Sequence, residues 1–265
     1  MFTEDDRSEL LGRLVAQARA DPGIGAAALV GSAARQTVHR WSDIDLALEI
    51  ADGSAVVDVA DRWTDLIGEF TSVSDTLDVW AGPALYRVHL LPSSLQLDVS
   101  FWPTGTLAAT GDEPLEQLFG ESARPTRPDP IDPHSLAGWA WLYALHARSA
   151  IARHRNWQGV QMLQGLRDQI ISLSCLRHGV PTHQGRGVDR LPPSILAELA
   201  ATLPVEATAT ALATAYAVAV QLLIDEIRHF DPALADRLRD PLAILRETAT
   251  SAIAAHLPED DSIDR

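Results

Sequence analysis

Two aspartates separated by a single residue, Asp43 and Asp45, follow a Gly31-Ser32 pair after ten intervening residues. Residues 43–50 alternate between polar and apolar types, which predicts a strand with both carboxylates on one face. Two neighbouring carboxylates repel each other and lose hydration, so a compensating partner is expected. A divalent cation with bound phosphate oxygens is one such partner. A solvated edge strand, on which alternating acids are ordinary, is the alternative.

The Gly31-Ser32 pair ends a short apolar run over residues 24–30, which we interpret as a preceding strand. Glycine lets the backbone approach a ligand closely, and Ser32 offers both a hydroxyl and a backbone N–H. Successive N–H groups at such a turn form a concavity that binds anions. The pattern therefore predicts a phosphate cradle about one hairpin away from the paired carboxylates.

This stretch resembles the signature of nucleotidyltransferases of the DNA polymerase beta superfamily, in which Gly-Ser is followed after about ten residues by Asp-x-Asp. The resemblance implies two Mg²⁺ ions and a nucleoside triphosphate, ATP or another NTP. It also implies a third carboxylate on a neighbouring strand. Asp98 fits that place, since it lies between Gln96 and Ser100 on the polar face of a predicted strand over residues 95–101.

By the same resemblance, Asp43 and Asp45 would bind both metals and Asp98 would help to hold the catalytic one. One metal would lower the pKa of an acceptor hydroxyl, and the other would neutralise the triphosphate. Arg35 matches an arginine common in this motif and is a candidate phosphate contact. Ser42 belongs to the same candidate nucleotide-binding set, beside the loop residues His39, Arg40 and Trp41.

A general base for the acceptor hydroxyl is harder to find. Related sequences suggest Trp-x-x-Glu in the helical half of the protein, whereas this chain has Trp157 followed by Val160 in the glutamate position. Asp168 is the nearest alternative base, although pairing with Arg167 and metal activation alone both remain open.

Arginines crowd residues 148–190, a segment whose acids are Asp168 and Asp189. Arg186, between two glycines, is the best candidate to reach the triphosphate or an anionic acceptor. A solvated, salt-bridged helix surface explains the same pattern equally well.

The wider chain supplies elements to position these residues. Thr3 is expected to cap a first helix that ends near residues 21–23, and helical spacing returns over residues 54–70. Further strands are predicted over 77–80 and 86–91, and a helical turn over 115–119. Beyond residue 135 the periodicity is helical, and we predict five helices there. They cover residues 139–155, 158–178, 195–203, 207–230 and 234–256.

The predicted fold class is therefore α+β. A small mixed β-sheet nucleotidyltransferase core with helices on one face is followed by an all-α helical bundle. We expect a catalytic domain over residues 1–103, a proline-rich connector over 104–134, a helical domain over 135–257 and a frayed tail over 258–265. This layout resembles kanamycin and lincosamide nucleotidyltransferases, which implies a homodimer.

Composition narrows the functional classes. The net charge of −15 argues against a protein that coats nucleic acid, and all 21 basic residues are arginine. A single cysteine, Cys175, excludes an internal disulfide and suits the cytoplasm. The sequence contains no uninterrupted apolar run of membrane-spanning length, so no membrane span is predicted.

The leading hypothesis is transfer of a nucleoside monophosphate, AMP foremost, to a hydroxyl of a small molecule, for example an antibiotic such as a lincosamide or an aminoglycoside. The basic segment favours a neutral or anionic acceptor over a polycationic one. Modification of tRNA or of a partner protein is one alternative. A non-catalytic nucleotide-binding regulator is another.

Overall fold

Alternating apolar residues build a six-stranded sheet in the N-terminal part of the chain. The computed structural model describes residues 2–51, 53–109, 114–125 and 129–254, without the side chains of 250 and 252–254. The strands are β1 (Ile24–Leu29), β2 (Ile44–Ile50), β3 (Asp75–Ala81), β4 (Ala84–Leu90), β5 (Gln96–Trp102) and β6 (Glu116–Phe119). Their spatial order is β3-β4-β5-β2-β1-β6. Strands β2 and β5 run parallel and the other neighbours run antiparallel, so the predicted mixed sheet is confirmed.

Two longer helices cover one face of this sheet, as predicted. Helix α1 (Glu4–Ala20) begins at Thr3, which forms a capping box with Asp6. Helix α3 (Val56–Phe70) supplies Trp63, whose fully buried ring packs edge-on against Phe101 of β5. The apolar side chains of β2 that lie on the face opposite Asp45 are all buried; they are Ile44, Leu46, Leu48 and Ile50.

The opposite face is partly covered by the chain that follows β5. Leu107 is fully buried against the alanines of β1 and β2, and its backbone N–H donates to Glu49 Oε2 at 2.9 Å. A short helix, α2 (Gly31–Ala34), leads from β1 towards β2.

The helical turn predicted over residues 115–119 is wrong, because Glu116–Phe119 forms the edge strand β6. Its partner is β1, and the side chain of Gln117 also donates to the carbonyl of Ala27 at 3.1 Å. An edge strand takes its conformation from the neighbour it pairs with, which local spacing does not reveal. The structure divides between Asp129 and Pro130, within the predicted connector.

In the second unit, residues 130–265, the regular elements of the described part are all helices or 3₁₀ turns. Its helices are α4 (Pro133–Ala152), α5 (Asn156–Arg177), α6 (Pro193–Ala201), α7 (Ala209–Phe230) and α8 (Pro232–Ala254), with two 3₁₀ turns between α5 and α6. Helix α4 begins earlier than predicted because Asp132 caps it and Pro133 occupies the first turn. The last two residues of the predicted fifth helix and the predicted frayed tail lie outside the described residues.

Helix α7 is long and apolar enough to span a membrane by length and composition. However, 67% of its most apolar stretch is buried inside the protein. Tyr216 in the first half of the helix also donates a hydrogen bond to the carbonyl of Ala144. This burial is typical of the core helix of a bundle. The helices described in the C-terminal region and the mixed sheet together make the fold α+β, as predicted.

Candidate metal and nucleotide site

Three carboxylates converge on the sheet face opposite α1 and α3. Asp45 of β2 is the cross-strand partner of Asp98 of β5, and Asp43 lies just before β2. One oxygen from each of the three side chains lies within 4.8 Å of the others, and each side chain is half-buried. The structure therefore brings together the three residues that the sequence singled out as metal ligands. Hard oxygen ligands in such a cluster suit Mg²⁺.

The environment of Asp98 disfavours its charged form. Burial raises its pKa to about 6; hydrogen bonds from Gln96 oppose that shift, and the nearby charge of Asp43 adds to it. The amide nitrogen of Gln96 lies 3.1 Å from each Asp98 oxygen. Gln96 is a neutral donor, so it orients the carboxylate without cancelling its charge.

Gly31 lies against the Asp45 carboxylate of this cluster. Its φ is +62°, and a β-carbon at this position would collide with Asp45 Oδ2 and lie 2.9 Å from Asp45 Cγ. The N–H of the preceding Val30 donates to the carbonyl of Asp45 at 3.2 Å, which holds the end of β1 against β2. The turn therefore requires glycine for two reasons, its backbone conformation and the space that the carboxylate occupies.

The hydroxyl of Ser32 provides an independent sign of a ligand. Its oxygen is buried and has no hydrogen-bond partner among the described residues. Buried polar atoms nearly always have a partner, so an isolated one beside a carboxylate cluster marks a place for a missing polar group. Phosphate oxygens fit this environment, because Ser32 can donate to them while the carboxylates share their metal ions.

The loop before β2 is held by a buried arginine that belongs to none of the predicted sites. Arg7 of α1 donates to the carbonyl of His39 at 2.6 Å and to that of Ser42 at 3.4 Å. Arg7 precedes Leu10, Leu14 and Ala18 at helical spacing, so its place on the buried stripe of α1 was a readable signal.

The other predicted nucleotide contacts have defined surroundings. Ser42 is buried, and its hydroxyl oxygen accepts from the backbone N–H of His39 at 3.0 Å, so it closes the loop. Arg35 caps the C-terminus of α2 and is exposed, while Trp41 is exposed with the Arg40 guanidinium against its ring. Contact of Arg35 and Ser42 with a nucleotide stays a prediction.

Two further candidates belong to the helical unit. Asp168 of α5 accepts a hydrogen bond from the Gln164 amide at 2.5 Å, and Gln164 also accepts one from Arg167. Arg186 follows a 3₁₀ turn and donates to the side chain of Gln184 at 3.2 Å. The proposed base and phosphate roles of Asp168 and Arg186 stay predictions.

No protein-family model and no curated protein sequence matches the chain. Among solved structures, it is similar to an aminoglycoside 6-adenyltransferase from Bacillus subtilis. That similarity has a TM-score of 0.33 and 11% sequence identity, over 96% of this chain and 92% of that one. The fold class given above depends on the strands and helices themselves, and the candidate site depends on its three carboxylates and the Gly31-Ser32 turn.

Proposed function

We propose that the protein is a Mg²⁺-dependent nucleotidyltransferase that moves a nucleoside monophosphate, AMP foremost, from an NTP to a hydroxyl group of a small molecule. The convergence of Asp43, Asp45 and Asp98 beside a Ser32 hydroxyl that has no partner among the described residues is the observation that carries this proposal. A metal site and a phosphate site placed side by side are what transfer from a nucleoside triphosphate requires.

In the proposed reaction, the acceptor hydroxyl loses its proton to solvent and its oxygen forms a bond to the α-phosphorus. The bond from that phosphorus to the pyrophosphate oxygen breaks, and pyrophosphate leaves. Asp43, Asp45 and Asp98 would hold the Mg²⁺ ions. Bound Mg²⁺ supplies charge neutralisation and a lowered pKa for the attacking hydroxyl. The chain itself contributes orientation: Ser32 would donate to a phosphate oxygen, and Gln96 holds the Asp98 carboxylate by hydrogen bonds to both of its oxygens.

The proposal can be tested by following the label from each α-labelled NTP in the presence of Mg²⁺. Pooled antibiotics, bulk tRNA and a cell lysate would be offered as acceptors in parallel. We expect label on a small molecule. Label on RNA or protein would replace the proposed acceptor class, and its absence in every fraction would argue against transfer. Sedimentation of the same preparation tests the homodimer, which forms part of the proposal.

Asp43→Asn and Asp98→Asn should each reduce transfer by at least roughly a thousandfold, because each removes a charged metal ligand. Both variants should fold, with a melting temperature equal to or above that of the parent, since one of three crowded charges is lost. Asp65→Asn, at an exposed position on α3, is the matched control and should retain full activity. Full transfer by Asp43→Asn would contradict the assignment.

A further inference from the structure

The open sheet face that continues from Asp98 across β4 and β3 is mostly apolar, with Asp75 at its edge. Val88 of β4 is the cross-strand partner of Asp98, and Leu77 of β3 is the partner of Val88. In the adjacent row, Tyr86 and Val79 continue from Ser100 in the same way. We call the surface formed by these β3 and β4 side chains the apolar platform; its members are Leu77, Val79, Tyr86, Val88 and Leu90.

The face on which the platform lies follows from an ion-pair network on the other side of the sheet. Arg87 donates to Asp78 of β3 and to Asp61 of α3, at 2.6 and 2.7 Å. Residues 78 and 87 therefore face α3, and their neighbours along each strand point away from it. The platform thus shares its face with Asp98.

The platform is accessible as well as apolar. Leu77 is 62% exposed, Val79 46% and Leu90 50%, whereas Tyr86 and Val88 are half-buried. On the same sheet face, Leu107 covers the alanines of β1 and β2. A contiguous exposed apolar surface beside a polar site marks a place for a ligand or partner.

The order of the strands shows what lies on each side of the three carboxylates. The Gly31-Ser32 turn follows β1, on one side of the carboxylates, and β5, β4 and β3 extend on the other side. Phosphates held at Ser32 would occupy the first flank and leave the second to the acceptor. Since neighbouring strands lie roughly 5 Å apart, Val88 and Leu77 are about 5 and 10 Å from Asp98 across the sheet.

We propose that the apolar platform binds the acceptor, and that the acceptor is a neutral molecule whose reactive hydroxyl is attached to an apolar ring or chain. This inference rests on the proposed nucleotidyl transfer. The rows that continue from Asp98 and Ser100 across β4 and β3 contain no carboxylate. Asp75 shares this face but lies at the end of β3, opposite Leu90, so the amines of a polycation would find a charged partner there and none along those two rows. An apolar body lying across Val88 and Leu77 would carry its hydroxyl to Asp98.

The test compares phenyl β-glucoside with methyl β-glucoside, because the two probes carry the same sugar hydroxyls and differ in their apolar part. The full-length protein, labelled at Leu and Val methyl groups, would be titrated with each probe in the presence of Mg²⁺ and α,β-methylene-ATP. NMR shifts of Leu77, Val79 and Val88 report on the platform. The shift of Val30, beside Gly31, reports separately on the nucleotide.

We expect phenyl β-glucoside to shift the platform methyl groups and to bind at least tenfold more tightly than methyl β-glucoside. The double variant Leu77→Ser, Val79→Ser should weaken binding of the phenyl probe at least fivefold and leave the Mg²⁺-dependent nucleotide shift at Val30 unchanged. Val205→Ser, at a more exposed valine of the helical unit, is the matched control and should change neither.

Equal binding of the two probes, or shifts confined to other methyl groups, would overturn the inference and leave nucleotidyl transfer standing. A dimer that the double variant dissociates would also overturn it, by assigning the platform to a second copy of the chain. If the nucleotide caused no shift of Val30 in the parent protein, that result would instead count against the proposed function itself.

Discussion

At the scale of single residues, the hydroxyl of Ser32 is expected to contribute to nucleotide binding but not to folding stability. Its buried oxygen has no partner among the described residues, so its removal costs the folded protein no hydrogen bond. We expect Ser32→Ala to leave the free energy of unfolding unchanged or slightly higher. The same change should weaken Mg²⁺-NTP binding by roughly tenfold, which corresponds to about 1.4 kcal/mol of binding free energy.

Calorimetric titration and urea unfolding of the same Ser32→Ala preparation would check both halves of that prediction. A marked loss of stability with unchanged nucleotide affinity would mean that the hydroxyl is structural.

Gly31 offers a second residue-scale test, with a matched control elsewhere in the sheet. Gly31 and Gly82 have almost the same positive φ, +62° and +58°, but a β-carbon at Gly82 would have no atom within 4 Å. Each change to alanine should therefore cost about 1 kcal/mol of stability from backbone conformation alone. Only Gly31→Ala should also displace Asp45 and lower transfer by roughly a hundredfold or more.

Thermal unfolding and initial rates, measured for Gly31→Ala and Gly82→Ala side by side, separate these two effects. Comparable activity in the two variants would show that the carboxylate adjusts to the added methyl group.

At the scale of elements, the contact between α3 and the sheet should respond to pH through His89. This fully buried ring lies between Thr64 of α3 and the carbonyl of Leu97. A carbonyl can only accept, so Nδ1 carries the proton and donates at 3.2 Å. Burial lowers the pKa of His89 below its ordinary 6.5; a hydrogen bond to Leu97 opposes that shift, and the Arg87 charge adds to it.

Protonation of the neutral ring is less favourable in the folded state than in the unfolded state. The stability contributed by neutral His89 is therefore present above pH 6.5. It is lost as the pH falls from 6.5 towards the lowered pKa of the folded state, by at most about 1.4 kcal/mol per pH unit. Urea unfolding at pH 7.5 and 5.5 should show this loss, and His89→Gln should reduce it. Asp98, whose pKa is raised, has the opposite effect on stability in the parent protein and in His89→Gln alike. The difference between the two proteins in how the free energy of unfolding changes with pH therefore reports on His89 alone.

Sequence patterns predicted the elements whose side chains carry their own periodicity. The alternation in β2 and β5 placed Asp45 and Asp98 on polar faces, and Thr3 gave the start of α1. Strand β6 escaped prediction because the spacing of Leu115, Leu118 and Phe119 also suits a helical turn, and the free edge of β1 decides between the two. The contacts of Arg7 depend on how α1 packs against a distant loop, and the platform rows depend on strand order; no local pattern contains either.

At the scale of the whole molecule, the two units have separate hydrophobic cores. One core joins α1, α3 and the sheet, and another lies among the helices of the second unit. Within the second unit, Glu226 is 2% exposed and accepts hydrogen bonds from Ser174 and Arg177, at distances of 2.7 to 3.0 Å. Loss of one member of a buried ion pair is strongly destabilising, because the remaining charge has no partner.

Glu226→Ala should therefore lower the stability of the helical unit by about 3 kcal/mol. The Mg²⁺ affinity of the carboxylate cluster should stay unchanged under conditions in which both units remain folded. Circular dichroism follows the helices, and titration with Mg²⁺ follows the cluster. A fall in Mg²⁺ affinity while both units are folded would show that the two are energetically coupled.

Strand β6 has a consequence for how this protein can be shortened. A fragment ending at residue 103 would keep every carboxylate of the site but would lose both β6 and Leu107. The free edge of β1 would then present unpaired N–H and C=O groups to other molecules, beside alanines stripped of their cover. Such a fragment would fail by aggregation and not by loss of its catalytic groups, whereas one extending to residue 129 would retain both protections.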